Sequence, residues 1–133
     1  MAQPNPPPAT LQLVAIFKQF MVVDGLYDPA CLPQSKLASN AWEMELSSTA
    51  QFAEARPLNI DPGYVTLTKL VLASCKDRAH RIYIRDGIYA EECLYYLGGA
   101  WQSRPWTYPD YQRSDFQAFF EEAREWLKDL QRS

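Results

Sequence analysis

Hydrophobic and polar positions alternate along this chain in several distinct rhythms. Over residues 10–23 the run TLQLVAIFKQFMVV places Leu13, Phe17, Phe20 and Met21 on one stripe at helical spacing, with Gln12, Lys18 and Gln19 mostly off it. Val14, Ile16, Val22 and Val23 add apolar surface on other sides, which predicts a helix buried between layers and stopped by Asp24-Gly25. Residues 26–40 carry Pro29 and Pro33, show no period and read as a loop. Residues 41–46 alternate Trp42, Met44 and Leu46 against Glu43 and Glu45, the mark of a half-buried strand. Ser48 with Gln51 forms a capping box for a short helix over 49–56, ended by Pro57.

In the second half, Val65, Thr66, Thr68 and Val71 favour a strand over 64–72, although Asp61-Pro62 resembles a helix start. Residues 81–85 (RIYIR) alternate as a strand, with Arg81, Tyr83 and Arg85 sharing one face. Asp86 can cap a helix over 87–97 whose buried stripe is Ala90, Cys93, Leu94 and Leu97, with Glu91 and Glu92 in its early turns and Gly98-Gly99 at its end. Residues 101–108 leave room for a small hairpin around Gln102-Ser103-Arg104-Pro105, with Trp106 and Tyr108 on one side of the returning strand. Ser114 and Gln117 make another capping box. Phe116, Phe119, Phe120, Ala123, Leu127 and Leu130 follow at helical spacing, with Trp126 at the margin. The sum is an α+β fold: a small, mostly antiparallel sheet packed against two to four helices, closed by a long amphipathic C-terminal helix.

Composition narrows this picture. The chain has 133 residues, 47% hydrophobic and 22% charged, which suits one globular domain and excludes general disorder or a collagen-like repeat. Residues 1–9 form a proline-rich extended tail, and 10–133 the single domain. No apolar run approaches the roughly 18–20 residues of a membrane helix, and MAQPNPPPAT lacks a signal-peptide layout. Cys31, Cys75 and Cys93 cannot all pair within one chain, which points to a reducing compartment, so a soluble cytoplasmic protein is expected.

Net charge is −3 but unevenly placed: residues 1–62 carry −3, residues 63–85 carry +4 and residues 86–133 carry −4. The basic band holds Lys69, Lys76, Arg78, Arg81 and Arg85 against Asp77 alone. Such a band can face phosphate, because affinity follows local potential more than net charge. Arg81, Tyr83 and Arg85 on one strand face, with Trp101 and Arg104 nearby, supply backbone contacts and stacking surfaces. The same residues also fit an edge strand kept soluble by charge, or a band docked on acidic flanks or an acidic partner. The polyanion reading requires the guanidinium groups to face outward, not to be clasped by carboxylates of this chain.

Catalytic signatures are absent from the sequence. There is no GxxxxGK[ST] or GxGxxG phosphate cradle and no Cys-x-x-Cys. Cys75, Asp77 and His80 are close in sequence but match no nucleophile–base spacing, and His80 is the only histidine. Glu91-Glu92 and Glu121-Glu122 diverge by about 100° on a helix, so neither is a carboxylate dyad. The expectation is a non-enzymatic protein with no metal and no cofactor.

An internal echo runs through the chain. Residues 10–57 and 87–131 each read as helix, aromatic strand and capped helix, two degenerate helix–hairpin–helix copies around a basic connector at 63–85. In the first, Phe17-Lys18, Tyr27-Asp28-Pro29 and Trp42-x-Met44 follow in order; in the second, Leu97-Gly98-Gly99, Trp106-x-Tyr108 and Pro109 do. This order resembles the HARP module, a small DNA-binding domain that accompanies annealing helicases. The spacer from Pro29 to Trp42 is longer than the family's turn and keeps only Lys36 of its basic residues. The resemblance implies binding of structured or single-stranded nucleic acid without catalysis. Two roles are therefore expected: a nucleic-acid-associated binding domain or, alternatively, an assembly subunit that seats against a larger protein complex.

Overall fold

The computed structural model describes residues 9–16, 19–48 and 59–132. The chain runs β1 (Leu11–Ile16), β2 (Gln19–Val22), a 3₁₀ turn (Pro29–Cys31), α1 (Leu32–Ser48), β3 (Ile60–Val65) and β4 (Lys69–Ser74). It continues through β5 (Arg81–Arg85), β6 (Ile88–Leu97), β7 (Ala100–Ser103), a second 3₁₀ turn (Pro109–Gln112) and α2 (Ser114–Arg132). The fold is α+β, an antiparallel sheet with two helices, the long one C-terminal. Strand order is β2-β1-β3-β4-β6-β5, with β7 also on β6. β5 pairs with residues 88–91 of β6 and β7 with residues 94–97, so the two lie end to end along one edge of β6.

The amphipathic stripe of α2 lands where its spacing requires. Phe116, Phe120, Ala123 and Leu127 are buried. Phe116 and Phe120 close a core with Leu13, Val65, Leu70, Leu72, Cys93, Leu94, Trp101 and Tyr111. Phe20 of β2 packs edge-on against Phe116 and Phe120, with ring centroids 4.9 and 5.0 Å apart. Such aromatic pairs add to the burial of their area.

Several elements differ from the sequence expectation, for identifiable reasons. The described residues of 10–23 form the paired antiparallel strands β1 and β2 rather than a helix. Leu11, Leu13 and Ala15 are buried while Gln12 and Val14 between them are less so, a period of two that the apolar second face had obscured. The expected loop over 26–40 contains the start of α1. Asp28 Oδ1 accepts from the Ala30 N–H at 2.9 Å to cap the 3₁₀ turn, and both prolines sit in first turns, where a missing N–H costs nothing. Residues 41–46 are helical, not extended, and the expected burial is inverted. Trp42 and Met44 are exposed and Glu43 is buried. The helix proposed over 49–56 lies outside the described residues, and Ser48 ends α1.

The ambiguous stretch 64–72 spans two strands, β3 and β4, joined by a turn at 66–68. RIYIR is a strand as expected. Residues 87–97 form β6, the longest strand, not a helix: Asp86 and Gly87 both adopt positive φ (55° and 78°), the conformation of a two-residue hairpin turn. The hairpin expected over 101–108 is displaced. Gly98-Gly99 joins β6 to β7, Trp101 lies in β7, and Trp106 and Tyr108 lie beyond it. The leading helix of each echoed copy is thus replaced by strands, β1 and β2 in the first and β6 in the second. No helix among the described residues is long and apolar enough to cross a membrane.

Candidate functional site

β3 and β4 pair only from Gly63/Leu72 to Val65/Leu70. At that junction a Cβ on residue 63 would lie 2.2 Å from the Val71 carbonyl oxygen, so only glycine permits the strands to approach so closely. Pro62 comes next and has no N–H to offer a neighbouring strand. The strands then part: β3 follows β1 back to Ile60, while β4 runs beside β6 to Ser74. Between them lies an open cleft of about 350 Å³, within the roughly 300–1,000 Å³ of small-molecule sites.

A parted strand leaves backbone groups that need partners. The first helix supplies them to Ile60. Glu43 Oε1 accepts from the Ile60 N–H at 2.6 Å. Lys36 Nζ donates to the Ile60 carbonyl at 3.3 Å and to Asp61 Oδ1 at 3.2 Å. Leu32, Lys36, Ser39 and Glu43 recur at helical spacing along the inward side of α1, which explains how two charged residues come to be buried.

Glu91 anchors the opposite wall and is itself buried. Its Oε1 lies 2.6 Å from His80 Nε2 and accepts from Arg81 Nε at 3.0 Å, and its Oε2 accepts from Cys93 Sγ at 3.4 Å. Burial, with the charge of Glu91 adding to it, pushes the Cys93 thiol well up and keeps it protonated. The His80 ring stacks on Trp106 with centroids 5.3 Å apart. Arg81 Nη1 also donates to the Lys76 carbonyl at 3.1 Å, which ties the β4–β5 connection to the cleft. Asn40, Asn59, Ser74, Cys75, Lys76 and Tyr108 complete the lining. Lys36, Lys76 and Arg81 outnumber Asp61 and Glu91 there, and among the described residues Lys76 enters no ion pair. Chemically, the cleft offers hydrogen-bond donors and a small positive excess.

The residues singled out from sequence are dispersed. Lys76 and Arg81 meet at the cleft. Lys69 is exposed at the start of β4, its Nζ 3.1 Å from Thr68 Oγ1. Arg78 is exposed and donates to the Asp77 carbonyl. Tyr83 is exposed against Tyr89. Arg85 pairs with Asp86 at 3.0 Å and reaches the Ala30 carbonyl. Arg104 pairs with Glu92 at 2.7 Å and lies over the Tyr95 ring. Trp101 is buried against Tyr96. Three of the four arginines therefore face a carboxylate of this chain, the arrangement that the polyanion reading required to be absent. Cys75 and His80 hold different partners, Asn40 and Glu91.

Lys36, Asn40, Glu43, Asn59, Asp61, Glu91 and Tyr108 were not singled out. Pro62-Gly63 inside a β-rich run was the available signal, since a proline there breaks a ladder. Read as a strand, residues 88–97 would also have put Glu91 and Cys93 on one face. Among the described residues, no group of three or more His, Cys, Asp or Glu side chains could hold a metal ion.

Residues 14–127 match the family model described as a domain of unknown function, DUF4416, and the chain belongs to that family. No curated protein and no solved structure matches the chain.

Proposed function

We propose that this DUF4416 member is a non-catalytic binding domain whose ligand, a small polar molecule carrying an anionic group, occupies the fork between β3 and β4. One observation carries this reading: the buried Lys36 and Glu91, each paired to a half-buried partner, Asp61 and Arg81, stand beneath a ligand-sized cleft whose rim has a cationic excess. Burying ion pairs costs desolvation that hydrophobic packing would avoid, so such a cluster at the mouth of a cleft has the character of a binding site. Lys36 and Arg81 are held in place by Asp61 and Glu91, which leaves little side-chain entropy to lose on binding. Lys76 supplies the mobile contact.

Nucleic acid is the second reading, supported by the exposed Lys69, Lys76, Arg78 and Tyr83. One set of titrations separates the two. Amide chemical shifts are followed on addition of inorganic phosphate, malonate, putrescine and a single-stranded oligonucleotide. The cleft reading expects phosphate or malonate to shift Asn40, Asn59, Ser74 and Lys76, and Lys76→Ala to weaken that response at least several-fold. No response to either anion, or an equal response to putrescine, overturns it. Oligonucleotide binding that shifts 69, 78 and 83 and falls steeply with salt establishes the other reading in its place.

A further inference from the structure

We propose that the ligand of the fork is an anion joined to a nitrogen heteroaromatic ring, of the class of the nucleoside monophosphates, with the ring seated beside the fork under the second 3₁₀ turn. This rests on the fork being a binding site for an anionic group and says what the rest of the molecule is. A second hollow of about 400 Å³ adjoins the fork. Asn59, Asp61 and Tyr108 line both, so a molecule longer than either hollow can lie across the divide. The two halves differ in chemistry. The fork carries Lys36, Lys76 and Arg81, whereas the second hollow carries the rings of Phe20, Tyr111 and Phe116 and, for charge, Asp61 and Asp110. An anionic group therefore belongs at the first end and an uncharged ring with hydrogen-bond donors at the second.

Strand register builds the ring end. Ala15 stands opposite Phe20 in the β1–β2 ladder and opposite Asp61 in the β1–β3 ladder, so the three form one cross-strand row on one face of the sheet. The short side chain of Ala15 between a phenyl ring and a carboxylate leaves the space that the hollow occupies. Phe20 is half-buried there, with Tyr111 at 5.7 Å and Phe116 at 4.9 Å between ring centroids, and offers a flat ring a stacking surface. Tyr111 lines the same hollow and is nine-tenths buried, yet its hydroxyl has no hydrogen-bond partner among the described residues. Burial holds that phenol well above its ordinary 10.0, so it remains a donor at neutral pH. A buried donor without an acceptor is costly, and a ring nitrogen or ring carbonyl supplies one. Asp61 can accept from an exocyclic amine. A hydrocarbon ring would satisfy neither group, which is why the ring is assigned as a nitrogen heterocycle.

Amide-shift titrations of the full chain with inorganic phosphate, ribose phosphate, adenosine monophosphate and cytidine monophosphate test this. At least one nucleotide is expected to bind at least tenfold more tightly than ribose phosphate, and to shift Ala15, Phe20 and Tyr111 as well as Lys76. Tyr111→Phe removes only the unpartnered hydroxyl, so the fold is retained. It is expected to weaken the tighter nucleotide at least threefold and to leave ribose phosphate unchanged. Ala15→Met, which fills the hollow, is expected to abolish the nucleotide's advantage. Nucleotides that bind no more tightly than ribose phosphate, or that shift the fork alone, overturn this inference and leave the fork itself standing as an anion site. So does nucleotide binding that both variants leave intact. If neither phosphate nor ribose phosphate shifts Lys76, the anion site falls, and the ring assignment falls with it.

Discussion

The two helices cover opposite faces of one sheet by different physics. α2 presents Phe116, Phe120, Ala123 and Leu127, and is held by area removed from water and by aromatic contacts with Phe20 and Tyr111. α1 packs Leu32 on Val71, Ala73 and Ile88 at its start, but beyond it presents Lys36, Ser39 and Glu43 to the sheet and leaves Trp42 and Met44 in solvent. Its polar side chains complete the backbone of a strand that proline has parted from its neighbour. A helix can therefore act as hydrophobic cover or as a substitute for missing ladder partners. The second role leaves a cleft lined with charge.

The sharpest test of this contrast is Phe120→Ala. Phe120 is fully buried, and truncation of such a side chain costs about 3–5 kcal/mol, measured as a fall in stability by urea denaturation. A loss below about 1 kcal/mol would mean that α2 is not the dominant cover. Gly63→Ala acts at the hinge of the fork. The added methyl meets Val71 O at 2.2 Å and the Leu72 side chain at 2.6 Å, and overpacking of this sort costs about 1–3 kcal/mol. Lys36→Met retains volume but leaves the Ile60 carbonyl and Asp61 without their donor, for about 1–2 kcal/mol. If Lys36→Met is instead stabilising, α1 is an ordinary apolar cover and the contrast fails.

Alkaline pH probes the α2 side without mutation, through two groups of its core. Burial raises the Cys93 thiol above its ordinary 9.0 and the Tyr111 phenol above its ordinary 10.0. Both groups hold their protons more tightly folded than unfolded. Above about pH 9 the unfolded chain binds fewer protons, so stability is complete below that point and falls as pH rises beyond it. Melting temperatures from pH 7 to 11 should show this decline, and Cys93→Ala should move its onset upward although the variant starts from lower stability. The smallest effect is expected at Trp42→Ser and Met44→Ser, on the outer side of α1. Within about 0.5 kcal/mol of the parent is the outcome for exposed positions, whereas the strand reading of residues 41–46 would have made both costly.

Legibility followed the kind of force at work. In α2 the stripe of Phe116, Phe120 and Leu127 is itself the reason for burial, so it can be read before folding. β5 was legible because RIYIR alternates without competing signals. β1, β2 and β6 were misread because their runs are apolar on more than one side: Leu13, Val14 and, in β2, Phe20, or Ala90, Cys93 and Leu94 in β6, fit a helical stripe as well as a pleat. α1 was misread because three of its five buried positions, Lys36, Ser39 and Glu43, are polar. No hydrophobic period marks Lys36 and Glu43, whose burial depends on the bonding needs of Ile60 across the fold. Of the residues lining the cleft, only Lys76 and Arg81 stood out in advance, as members of a basic band. Their partner Glu91 had been assigned to the first turns of a helix.

The order of residues alone determined the α+β class, the C-terminal helix with its inward face, the edge strand RIYIR and the basic band around it. These depend on local period and composition, which act along the chain. Tertiary structure alone decided which cations are neutralised, where β3 and β4 separate, and that a lysine and a glutamate of one helix complete the backbone of a distant strand. Ion pairing and ladder completion are settled by distances between residues far apart in sequence, and those distances exist only once the sheet has formed.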